Sequence, residues 1–135
     1  MNKVRKSTYF MAHLKDKPGA LLKVMRDLKA RNISLLGLWG FGTGKGKADL
    51  FVVAKNPARL RKYWKASRML AEEGTGFFIT GTDRTGALLE DLKALANARI
   101  NIHAIDAIAA GGRFDSFVWV EASKVKKAAK ALKAK

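Results

Sequence analysis

The chain has 135 residues, 48% of them hydrophobic, which suits one ordinary domain or two very small ones with a buried core and excludes a disordered tail. It contains no cysteine, which excludes disulfides and thiolate zinc clusters. The formal net charge of +16 favours polyanionic partners and is uneven: residues 1–67 hold 16 Lys/Arg against 3 Asp/Glu, residues 68–135 hold 11 against 8.

From the N-terminus, "MNKVRK" is charged and lacks the apolar core of a signal peptide. No run of about 18 apolar residues follows that would span a membrane. A cytoplasmic protein without membrane contact is expected. "STYFMAHL" reads as a strand, rich in aromatic and β-branched residues. "DKPGALL" then turns the chain into a helix, with Leu21, Val24, Met25 and Leu28 on one face and Pro18 just inside its start. "ISLLGLWGF", a glycine-rich turn and "ADLFVVA" predict a strand, hairpin and strand. Asn56 as N-cap and Pro57 at the first helical position open a second helix, "ARLRKYW".

The same order then recurs. Shifted by 67 positions and without a gap, Phe10 meets Phe77, Asp16 meets Asp83, Gly19 meets Gly86, Ile33 meets Ile100, Gly44 meets Gly111 and Val53 meets Val120. "GFFITGT", "DRTGALL", a helix with Leu88, Leu92 and Leu95, "INIHAIDAIAA", "FDSFVWVEA" and a helix capped by Ser123 complete the second copy. This predicts an α+β protein of two tandem ferredoxin-like (βαββαβ) units, residues 1–67 and 68–135, each an antiparallel sheet with helices on one face. The fourth strand is weak. "RMLAEE" would supply it in copy one, while copy two runs out of residues, so the N-terminal "MNKVRK" is expected to fill that edge.

A strand, D-x-P-G-A-L, an amphipathic helix and a second strand opened by "NIS" or "INI" resemble the ACT domain, a small regulatory module often attached to enzymes of amino-acid metabolism. The resemblance spans the whole chain as two copies with no catalytic domain. It implies a non-catalytic regulatory protein that senses an amino acid or similar effector where two modules pack, and that forms a homo-oligomer. Free amides at a helix N-terminus suit a carboxylate, here Gly19, Ala20 and Leu21, and Gly86, Ala87 and Leu88. Asp16 and Asp83 would face the ligand's ammonium group, and Ser34 and Asn101 occupy the polar position opening the second strand. Copy two departs from the pattern at Thr85, where the family has proline, and neither Leu14 nor Gly81 supplies the polar first-strand residue of some members. Asp16 and Asp83 also suit a purely local role, capping their turns.

Other chemistry is less well supported. "GLWGFGTGKGK" lacks the Gly-Lys-Ser/Thr ending of a phosphate loop and suits a hairpin. Nucleic-acid or other polyanion binding through the basic first copy, with Trp39, Phe41, Lys45 and Lys47 as contacts, is the alternative function. A true RNA-recognition module is disfavoured, since Lys47 and Asp49 stand where its aromatics belong. His13 and His103 lack metal-ligand spacing and paired carboxylates, so no enzyme, metal or cofactor is expected.

Overall fold

The computed structural model describes residues 1–135, in the order β1 (Lys3–Lys15), α1 (Ala20–Ala30), β2 (Leu35–Gly44), β3 (Lys47–Ala54), α2 (Pro57–Ala66), β4 (Glu72–Thr82), α3 (Leu89–Asn97), β5 (Ala104–Ala110), β6 (Arg113–Trp119) and α4 (Val125–Leu132). A 3-10 turn, Ala122–Lys124, leads into α4. The chain divides into two compact units, Thr8–Gly74 and Met1–Ser7 with Thr75–Lys135. The boundaries expected at 67 and 68 are therefore displaced, and β1 and β4 each serve both units.

In the Thr8–Gly74 unit the strands run β2-β3-β1, antiparallel, with Phe10 opposite Val52 and Leu14 opposite Ala48. The Ala71 amide donates to the Met11 carbonyl at 2.8 Å, which brings Glu72–Gly74 beside β1 as the fourth strand. Period-2 alternation sends Phe10, Ala12, Leu50 and Val52 to one face. There they pack with Val24 and Leu28 of α1 and Leu60 and Trp64 of α2, each pair four residues apart on its helix. Removing such side chains from water stabilises by about 1.5–3 kcal/mol apiece.

Gly19 sets where α1 begins. Its φ of 86° is left-handed, a conformation that glycine adopts without penalty. The helix therefore starts at Ala20 and leaves Pro18 outside it, contrary to expectation. Asn56 behaves as expected, its side chain accepting from the Arg59 amide at 3.2 Å. Ser123 does not: it lies in the 3-10 turn and caps nothing.

The second unit repeats the order β-α-β-β-α. Its strands run β5-β6-β4, with Lys3–Ser7 of β1 on the far side of β4. Val4 and Lys6 hold the chain's other end, since the Lys135 amide donates to the Val4 carbonyl at 3.1 Å and the Lys6 amide to the Lys135 carbonyl at 3.0 Å. The N-terminal lead thus supplies the edge that copy two lacks. Val4, Phe77, Ile79, Phe114 and Val118 pack against Leu95 of α3 and against Ala128 and Leu132 of α4. Asn32 and Arg99, 67 apart, both turn left-handed after their helices, and the next amides, Ile33 and Ile100, close onto Leu28 and Leu95.

The gapless repeat needs one correction. Gly42 pairs with Ala48 but Gly44 with Lys47, so Thr43 is an extra residue in β2. The second hairpin pairs Ala109 with Phe114 and Ala110 with Arg113 and has no such bulge. Beyond it the copies correspond at a shift of 66, and Val53 matches Trp119 instead of Val120. The strand exchange also levels the charge. The Thr8–Gly74 unit holds 14 Lys/Arg against 5 Asp/Glu, and the other 13 against 6, nets of +9 and +7 in place of +13 and +3.

Candidate functional site

Each DxxG turn opens onto a cleft between the start of its helix and the strand that ends the sheet on its side, β2 or β5. The first, about 480 Å³, is lined by Asp16, Ala20 and Leu21 from the turn and by Leu38, Gly40 and Gly42 from β2, with Ala48 and Leu50 behind. The Ala20 amide makes only a long 3.3 Å bond to the Lys17 carbonyl. The amides of Leu21 and Leu22 come before any intrahelical acceptor and point out of the helix end. Asp16 is anchored through its backbone, its amide donating to the Gly46 carbonyl at 2.8 Å, and its carboxylate lies over Gly42. The cleft thus combines helix-end donors, a carboxylate and an apolar lining of Leu14, Leu38 and Leu50.

The second cleft, also about 480 Å³, takes Asp83, Gly86, Ala87 and Leu88 from its turn and Ala107, Ala109 and Phe114 from its strands. Asp83 is anchored like Asp16, its amide donating to the Gly112 carbonyl at 2.9 Å. The helix beyond differs. The Ala87 amide bonds the Arg84 carbonyl at 3.1 Å, as Ala20 bonds Lys17, and the Leu89 amide adds a bond to the Gly86 carbonyl at 3.0 Å. α3 therefore starts at Leu89, later than the repeat predicts.

Of the ten residues expected to bind ligand, seven line the two clefts: Asp16, Ala20 and Leu21 in one, Asp83, Gly86, Ala87 and Leu88 in the other. Gly19 sits behind its cleft as the α1 cap. Ser34 and Asn101 are not brought in, because each precedes its strand at the end remote from the cleft; the Ser34 carbonyl instead accepts from the Lys55 amide at 2.9 Å. Gly40 falls in the expected strand and Gly42 in the expected turn, and neither is expected at the cleft. Their spacing of two, which puts both on one face of a strand, is the signal that could have revealed them as a cleft floor.

The face of β1, β2 and β3 away from the helices carries aromatic residues. Trp39 stacks on Phe51 with ring centroids 6.1 Å apart and planes 4° from parallel, and Phe41 and Tyr9 pack against the same ring at 5.9 and 6.1 Å. His13 pairs across the strands with Asp49, Nδ1 to Oδ1, at 2.8 Å on the exposed surface. No group of three or more His, Cys, Asp or Glu is placed to hold a metal ion, and no helix is long and apolar enough to cross a membrane.

Tyr9 donates to Glu72 Oε1 at 3.3 Å. Burial, then the Glu72 charge and this hydrogen bond, push its phenol from the ordinary 10.0 up to about 12. A raised folded-state value stabilises below the unfolded pKa, and that contribution is lost as pH rises through the folded one. We expect the unfolding free energy to fall between pH 10 and 12, and Tyr9→Phe to remove that part of the dependence in denaturant titrations. An unchanged slope in Tyr9→Phe would refute the assignment.

No protein-family model matches the chain, and no curated protein matches it in sequence. Solved structures do match in fold. A protein from Bacteroides thetaiotaomicron superposes with a TM-score of 0.82 at 21% identity, over 96% of this chain and 88% of that one. The regulatory subunit of aspartate kinase from Thermus thermophilus, in its ligand-free form, gives 0.61 at 16% identity over 98% and 93%. The corresponding subunit from Thermus flavus gives 0.60 at 15% over 98% and 94%. At these identities the similarity concerns the fold, which is ACT-like.

Proposed function

We propose that this is a non-catalytic regulatory protein of the ACT type, built by duplication of the repeats 1–67 and 68–135, that binds an amino acid or similar small zwitterion and signals it to a partner. The observation that carries this reading is the first cleft, which brings helix-end amides, the Asp16 carboxylate and an apolar lining together. A carboxylate and an ammonium on one ligand satisfy both without burying an unpaired charge. Regulation then follows from different affinity of the ligand for two states of the protein.

A cytoplasmic homo-oligomer remains part of the proposal. Exposed apolar residues on β2 (Leu36, Leu38, Phe41) and on β5 (Ile105, Ile108) lie on strands that end their sheets and favour pairing with a second copy. Nucleic-acid or other polyanion binding through the basic first repeat is the alternative reading: the Thr8–Gly74 unit carries a net +9, and Trp39 and Phe41 pack on Phe51.

The test is a thermal-shift panel of the common amino acids. A ligand selective for the folded state adds about 2.7 kcal/mol at a hundredfold excess over Kd, several degrees in Tm. One or two amino acids should produce that shift, and Asp16→Asn should abolish it. No shift with any of them overturns the proposal.

A further inference from the structure

The two clefts share a turn but not a chemistry. α1 has no acidic residue in its first turn, so its positive end is uncompensated. Glu90 and Asp91 occupy the first turn of α3 and complement that end from within the chain. Asn2 fixes the arrangement, donating from Nδ2 to Asp91 Oδ2 at 2.7 Å and to the Ala87 carbonyl at 2.6 Å. These carboxylates line a neighbouring pocket and not the second cleft itself, but they leave the end of α3 already complemented where the end of α1 is not.

The floors differ in the same sense. Strand register matches Gly40 with Ala107, Gly42 with Ala109 and Ala48 with Phe114. These three positions are larger in the second cleft, while Leu14 and Leu50 give way to the smaller Gly81 and Ser116, so the two clefts keep the same volume but place their space differently. A Cβ built on Gly42 would stand 2.8 Å from Asp16 Oδ2, closer than real Cβ contacts. The carboxylate fills the space a methyl group would take. Gly42 is not among the residues with positive φ, so space and not backbone conformation calls for glycine there. The Thr43 bulge next to it, absent from the second hairpin, marks the same spot.

We infer that, on the reading proposed above, the first cleft alone binds the amino acid, one per chain, and that Gly42 is its specificity-determining residue, holding open the space in which Asp16 meets the ammonium group. The second cleft, with its floor of methyl groups and a phenyl ring, keeps the turn without the site.

Isothermal titration of the full chain with the amino acid that shifts its melting temperature tests this directly. The expected stoichiometry is one ligand per chain. Gly42→Ala, which the extended backbone accommodates, should leave the ligand-free melting temperature unchanged and weaken binding about ten- to a hundredfold, the loss expected for one charge-assisted contact. Ala109→Val, at the matching position of the second cleft, should bind as the parent does. Two ligands per chain, an unaffected Gly42→Ala, or loss of binding in Ala109→Val would each overturn the inference while leaving the sensor function standing. Failure of every amino acid to bind the parent protein would remove the function itself.

Discussion

Replacing Trp64 by alanine is expected to destabilise the protein by about 3–5 kcal/mol, a large share of the 5–15 kcal/mol that holds a typical domain folded. Trp64 is 1% exposed and is the largest side chain in the core of the Thr8–Gly74 unit. With both helices leaning on that core, the vacated volume cannot collapse without moving α1 or α2. Urea titration should show a lower midpoint, and hydrogen exchange should accelerate in β1 and β3. Leu22→Ala, at a side chain 53% exposed on the neighbouring helix, is the control and should change stability by no more than about 0.5 kcal/mol. Equal effects from the two would deny Trp64 its place in the core.

Val4→Asp should cost about 3 kcal/mol or more, through lost apolar burial and a carboxyl group with no partner in the core. Val4 is 6% exposed and packs with the core of the unit that contains Thr75–Lys135. The damage should be local: amides of β4 and β6 should lose protection while those of β2 and β3 keep theirs. Deleting residues 1–6 should give the same pattern, because it also removes the acceptors and donors that pair with Lys135. Uniform loss across both units would argue against the strand exchange.

Much of this architecture was legible because it is written locally. Val24 and Leu28, or Leu60 and Trp64, announce helix faces by spacing alone, and the two DxxG turns locate both clefts. The fourth strands could be read only by elimination, since the pairing of Val4 with Lys135 joins residues with no local signal in common. The late start of α3 was hidden as well. It depends on the Gly86–Leu89 turn, a local hydrogen bond that no periodicity records. Gly40 and Gly42 failed for another reason: amid five glycines from Gly37 to Gly46, two on one strand face look like loop composition. Ser34 and Asn101 carried the right chemistry at the wrong end of their strands.

The junction between Val4, Lys6 and Lys135 also sets an order of events during synthesis. The Thr8–Gly74 unit has all its residues once position 74 has left the ribosome, and can close early. The segment Lys3–Ser7 is made before the rest of its unit and must wait for residue 135 before both its sides are paired. Through that interval it is an unpaired strand edge, the kind of surface on which nascent chains stick together. Three of its five residues are Lys3, Arg5 and Lys6. Their mutual repulsion keeps like segments apart while the chain is unfinished, so part of the protein's basic excess serves its own birth.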